Sequence, residues 1–158
     1  MRIIGVDPGY GRTGWAVIDS TNTLSLLEYG LIETKSTDPL PKRLYKIFDE
    51  LMAISSRLMP KRMVVEKFYP GKNLTTVEGV YQARGVVLAS AGFTGCEVIE
   101  PTATQVKLSI TGSGKASKDD VQIMVERLLN IKQPIRPDDV VDAIACAIAG
   151  SALPGVIA

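Results

Sequence analysis

The chain of 158 residues has no histidine and only two cysteines, Cys96 and Cys146. Without histidine, no Ser-His-Asp or Cys-His arrangement can be built. With two thiols and no imidazole, a structural zinc site lacks ligands. The two cysteines are far apart in sequence and make no disulfide framework. Both are expected to be buried thiols of a protein in a reducing cytoplasm. No apolar run reaches the ~18 residues of a membrane span. The N-terminus passes straight into an apolar strand pattern, so no secretory signal is expected. A strong charge of either sign is also missing. Lys and Arg total 18 against 17 Asp and Glu, a net +1. That balance alone does not mark a nucleic-acid binder. Its distribution is uneven, at +4 over residues 61–118 and −3 over residues 119–158. A basic middle and an acidic end suit an anionic partner beside a cation site; a solvated surface of mixed charge is the plainer alternative.

The length fits one domain over residues 1–158 with a sizeable core. Ile3, Ile4 and Val6 form an apolar run expected to be a strand buried on both faces. It ends in Asp7, followed by Pro8-Gly9, where proline stops a central strand and glycine allows a turn with positive φ. Trp15–Ile18 predicts a strand returning antiparallel. An ordinary hairpin with a capping Asp would also fit this stretch. Leu24–Thr34 predicts a third strand. Leu44, Ile47, Phe48, Leu51, Met52 and Leu58 recur at helical spacing, with an end near Met59-Pro60. Met63-Val64-Val65 is a fourth strand that also ends in an acid, Glu66. Thr75 or Thr76 is expected to cap the next helix. Gly79 and Gly85 inside it suit either a helix or subunit contact or packing on the sheet. Cys96–Ile99 is a fifth strand. Two more helices open at Pro101 and Ser117, and a last one near Pro137. This is an α/β pattern of helices packed on a sheet.

Thr111-Gly112-Ser113-Gly114-Lys115-Ala116-Ser117 imitates a phosphate-binding loop and fails the match. Ser109 stands where the first glycine belongs, Ala116 stands where Ser or Thr must follow the lysine, and no strand precedes it. An NTPase is excluded.

Three elements each place carboxylates at one end: Asp7, Glu66, and the start of the last helix. There Asp139 and Asp142 share a face at i and i+3, and Asp138 and Asp142 compete at i and i+4. For Asp138 the ordinary role of an acid facing a helix N-terminus suffices. Asp142 sits among Val140, Val141, Ala143 and Ile144, where a carboxylate needs a partner.

Asp7-Pro8-Gly9 with Gly14, Glu66 after its strand, Gln82-Ala83-Arg84-Gly85, Gln105-Val106-Lys107 and Asp139-Val140-Val141-Asp142-Ala143 are each, in order, similar to motifs of one family. The chain resembles the RuvC family of Holliday-junction resolvases over nearly its whole length. The resemblance implies an RNase H-like fold with a mixed five-stranded sheet flanked by helices. It implies Asp7, Glu66, Asp139 and Asp142 as catalytic, metal-holding acids of an endodeoxyribonuclease. Four carboxylates without His or Cys suit Mg²⁺, with Mn²⁺ as a substitute, and two ions ~4 Å apart would serve both sides of a phosphodiester. Leaving those acids out, the formal charge rises to +5.

The resemblance further implies that Lys107 and Lys118 stand near the scissile phosphate and that Tyr69 stacks on a base at the crossover. Lys72, Arg84 and Lys115 are further phosphate candidates from the basic middle. Also implied are a homodimer matched to the junction's two-fold symmetry and a branch-migration motor as partner. Paired nicks would leave 5′-phosphate and 3′-hydroxyl ends, in recombination and repair. Two alternatives share parts of the pattern: an RNase H-like enzyme acting on RNA, and a non-catalytic junction-binding module. A sugar-kinase or actin-like phosphotransferase needs two such domains, more than this length holds.

Overall fold

The computed structural model describes residues 1–69 and 74–155, and of residues 74–76 the backbone alone. The strands are β1 (Arg2–Asp7), β2 (Arg12–Asp19), β3 (Ser25–Glu33), β4 (Arg62–Val65) and β5 (Glu97–Ile99). The helices are α1 (Leu40–Leu58), α2 (Leu74–Thr94), α3 (Ala103–Thr111), α4 (Lys118–Leu128) and α5 (Asp138–Ala152). The sheet runs β3-β2-β1-β4-β5. β1 pairs antiparallel with β2, and β2 with β3, while β1–β4 and β4–β5 are parallel. The sheet is therefore mixed and five-stranded, as expected.

Side chains of a strand alternate between faces, and β1 separates two cores. Ile4 and Val6 pack with Met63, Val65, Ile47, Leu51 and Val87, under α1 and α2. Ile3 packs with Val64, Ile18, Ile144 and Ile148, under α5. All three β1 residues are fully buried, which explains the continuous apolar run. Gly5 lies on the α5 face, where a Cβ would overlap the carbonyl oxygen of Ala143. A Cβ on Gly14 would overlap the carbonyl oxygen of Asp139. The two glycines therefore let the first turns of α5 rest directly on the sheet.

Local signals set the helix ends. The Thr102 hydroxyl accepts from the Gln105 N–H, and the Gln105 side chain accepts from the Thr102 N–H at 2.9 Å. Ser117 and Asp120 make the same reciprocal pair on α4. Such boxes satisfy N–H groups that a helix leaves unpaired. α1 ends at Met59, in the left-handed region at φ 48°, just before Pro60.

Two local expectations change. Among the described residues, the glycines with positive φ are Gly95 and Gly112, so Gly9 does not turn the chain that way. A Cβ on Gly9 would instead overlap the carbonyl oxygen of Arg12, and the Thr13 hydroxyl donates to the Gly9 carbonyl at 2.7 Å. α2 starts at Leu74, which puts Thr75 and Thr76 inside the helix rather than at its cap. Gly79 makes room for the ring of Tyr10, while Gly85 is exposed with open space beside it.

Candidate active site

Asp7 stands two residues after Gly5 on an alternating strand, so it emerges on the α5 face. β4 runs parallel to β1 with Val65 opposite Val6. The next residues, Asp7 and Glu66, therefore leave the sheet side by side at its carboxyl end, and Arg62, Val64 and Glu66 alternate onto the same face. α5, laid against Gly14 and Gly5, brings its own acids to this point. A pocket of about 300 Å³ results. Asp7, Glu66, Asp142, Lys107 and Lys118 form its polar lining, with Val106, Val121, Ala145 and Cys146 among its apolar walls.

Burial and repulsion dominate its electrostatics. Burial, then Asp142, Asp139 and Glu66, push the Asp7 carboxyl up to about 7, against a weaker pull from Lys118. Burial raises Glu66, aided by Asp142 and opposed by Lys107 and Lys118. Burial also raises Asp142, opposed first by Lys118, whose ammonium lies 3.4 Å from it. That pairing raises Lys118 in turn. Crowded, half-desolvated carboxylates hold protons more tightly than free ones. Asp7 has no ion-pair partner among the described residues.

Asp139 lies at the edge of this site, and its carboxylate is 2.7 Å from the Arg12 guanidinium. Arg12, in the glycine-rich stretch after Asp7, is a site-adjacent cation that sequence reasoning passed over. Asp138 is more exposed and faces Arg136 at 3.4 Å. It acts on Asp142 but is absent from the groups that raise Asp7, whereas Asp139 acts on both.

The donor set is all carboxylate, the chemistry that hard divalent cations require. Among the described residues no three acids or thiols are placed closely enough to ring an ion. Asp139 and Asp142 are turned to Arg12 and Lys118 instead, and a rotation of each side chain off its cation would be needed to complete a ligand set. With its donor chemistry and the uncompensated Asp7, the site fits divalent cations.

The cations expected at DNA divide. Lys107 and Lys118 line the pocket. Lys115 lies in a separate shallow cleft with Ser113, Asp120 and Arg127. Tyr69 is 69% exposed beyond Glu66, and Phe68 beside it packs edge-on against Tyr81 instead. Lys72 lies outside the described residues. Arg84 departs from the phosphate expectation. Its side chain is 11% exposed, is paired with Glu100, and donates to the Glu66 carbonyl at 2.9 Å, so both ends of its fork are used within the chain. Cys146 is buried, as expected, and burial pushes its thiol far up, so it stays protonated. Cys96 is buried too. No described helix is long and apolar enough to cross a membrane.

Comparison with known proteins gives a consistent result. The family model described as crossover junction endodeoxyribonuclease RuvC matches residues 3–150. The crossover junction endodeoxyribonuclease RuvC of Brevibacillus brevis is 42% identical over 149 residues, covering 94% of this chain and 90% of that one. The structure of Thermus thermophilus RuvC in complex with Holliday junction substrate superposes with a TM-score of 0.90 at 28% identity, covering 96% of this chain and 93% of that one. The yeast mitochondrial Holliday junction resolvase shares the fold, with a TM-score of 0.63 at 9% identity, covering 93% of this chain and 77% of that one. With the family model spanning most of the chain and its motifs in place around one acidic pocket, this protein belongs to the RuvC family of crossover junction endodeoxyribonucleases.

Proposed function

We propose that this chain resolves four-way DNA junctions by hydrolysing one phosphodiester in each of two opposed strands, with Asp7, Glu66, Asp139 and Asp142 as its catalytic acids. The observation that carries this is the convergence of Asp7, Glu66 and Asp142 with Lys107 and Lys118 in one pocket. The acids would hold Mg²⁺, two ions per site, with Mn²⁺ able to substitute. When bound, such ions lower the pKa of an attacking water and take up charge on the leaving oxygen.

The chain's own groups supply the rest. Asp7 anchors the site because β1, the central strand of the sheet with Ile3, Ile4 and Val6 fully buried, holds it at its end. Glu66, one strand over, fixes the opposite wall. Lys118 exchanges its contact with Asp142 for a phosphate oxygen, and Lys107 approaches the same phosphate from α3. Both stabilise charge that grows in the transition state. Breaking the bond to the 3′-oxygen leaves 3′-hydroxyl and 5′-phosphate ends. Tyr69, exposed beside the site, stacks on a base freed at the crossover. Lys115 and Lys72 supply outlying phosphate contacts.

A junction has approximate two-fold symmetry, and a C2 dimer presents two equal sites to it. On this account residues 1–158 act as a single RNase H-like domain in a homodimer, in the cytoplasm. The enzyme would work in recombination and repair beside a branch-migration motor. The test is cleavage of an end-labelled mobile junction in Mg²⁺, beside linear duplex and an RNA–DNA hybrid. Paired symmetric nicks in the junction alone are expected. Cutting of the hybrid would point to the RNA-directed alternative, and junction binding without nicks would point to the non-catalytic module.

A further inference from the structure

We infer that Arg84 and Glu100 form a part-buried brace that positions Glu66 for catalysis; this rests on the catalytic assignment of Glu66 proposed above. Glu66 and Glu100 each stand one residue beyond a strand, β4 and β5, and the register that pairs Val64 with Ile99 sets Glu100 opposite Val65. The ladder between those strands has its last pair at Val64 and Ile99. Beyond it, the one described backbone link is the Lys67 N–H donating to the Pro101 carbonyl at 2.7 Å. The backbone of Glu66 is thus at the point where sheet pairing stops restraining it.

Arg84 reaches this point from α2. One arm of its guanidinium donates to the Glu66 carbonyl at 2.9 Å, and the other donates to the Glu100 carboxylate. The planar fork suits such a bridge between two strand ends, which a point cation on a flexible stem would not reproduce. Glu100 also cancels the charge of the guanidinium, so the brace adds no net cation to the pocket. Holding the Glu66 carbonyl fixes the backbone from which its carboxylate projects towards Asp7 and Lys107. Groups that orient a site's acids without touching substrate commonly matter 10–100-fold (roughly) for metal affinity or rate.

The experiment uses the full chain with Arg84→Ala, Arg84→Lys, Glu100→Gln and Glu66→Gln. Turnover is read at saturating junction in Mg²⁺, Mn²⁺ affinity by calorimetry, and junction affinity against salt in EDTA. Arg84→Ala is expected to lower both turnover and Mn²⁺ affinity roughly 10–100-fold. Junction affinity and its salt slope stay as in the unsubstituted chain, millimolar guanidinium restores part of the turnover, and Arg84→Lys falls between. Unchanged turnover and Mn²⁺ affinity would overturn the brace. So would weaker junction binding with a salt slope reduced by about one, the mark of a lost phosphate contact. If Arg84→Ala does not fold, Glu100→Gln decides: a smaller loss of the same kind supports the brace, and no loss overturns it. Glu66→Gln with full cleavage would instead sink the catalytic assignment beneath it.

Discussion

The two ends of the β1–β4 pair treat charge in opposite ways. At the amino end several charges are paired or hydrogen-bonded. Arg62 pairs with Glu97 at 2.8 Å and also donates to the carbonyl of Leu153 at the end of α5. Arg2 donates to the Leu58 carbonyl at 2.8 Å, and the N-terminal ammonium faces Asp19 at 3.3 Å. At the carboxyl end Asp7, Glu66 and Asp142 crowd one pocket, and burial and repulsion from neighbouring carboxylates raise all three. One end fastens the fold. The other holds a strained concentration of negative charge that a cation would relieve. The same strands build both, so the contrast comes from what terminates them.

The sharpest way to break this comparison is Asp7→Asn. Cleavage of the junction should fall by on the order of 10³-fold or more, the scale of losing charge stabilisation in a transition state. The metal-free variant should melt higher than the unsubstituted chain, because a repelled, buried carboxylate has been removed. Lower activity with a lower melting temperature would mean that Asp7 is a fold residue.

Gly14→Ala comes next. The added methyl overlaps the backbone of α5 at Asp139. Overpacking of this kind costs about 1–3 kcal/mol, and the displaced acid should take cleavage down with it. Normal melting and normal cleavage would show that α5 does not depend on this close approach.

A smaller effect follows from pH. The Asp7 carboxyl, ordinarily at 3.8, stands at about 7 in the folded chain. The folded state therefore binds this proton more tightly than the unfolded state does. Unfolding releases it between those values, so the contribution of Asp7 to stability falls as pH rises through that window. Without metal, melting should decline from about pH 4 to about pH 7 more steeply in the unsubstituted chain than in Asp7→Asn. Parallel curves would contradict the assignment. The smallest effect is expected on the paired surface. Arg57 and Glu28 form an exposed pair, with one contact at 2.9 Å. Water screens such pairs, so Arg57→Ala should leave melting and cleavage almost unchanged.

Much of this was legible in the sequence because local chemistry sets it. Ile3-Ile4 and Val6 announce a strand buried on both sides, and Met63–Val65 a second. Pro101, Ser117 and Pro137 mark helix starts that the structure keeps to within two residues. Three acids at the ends of elements announce a shared pocket once a parallel register joins two of them. What stayed hidden depends on partners distant in sequence. Arg84 looks like any cation in a basic stretch until Glu100 and the Glu66 carbonyl are beside it. Arg12 has no visible purpose until α5 brings Asp139 to it. Gly5 and Gly14 look like turn or strand residues, and their role appears only when a helix backbone lies against them.

The central claim is that four particular acids make one cation site, with Asp139 rather than Asp138 as the fourth. The most direct test is a calorimetric Mn²⁺ titration of the unsubstituted chain beside single amide variants of Asp7, Glu66, Asp138, Asp139 and Asp142. Weakened binding is predicted for every variant except Asp138→Asn. Unchanged binding in Asp139→Asn, or its loss in Asp138→Asn, would contradict it.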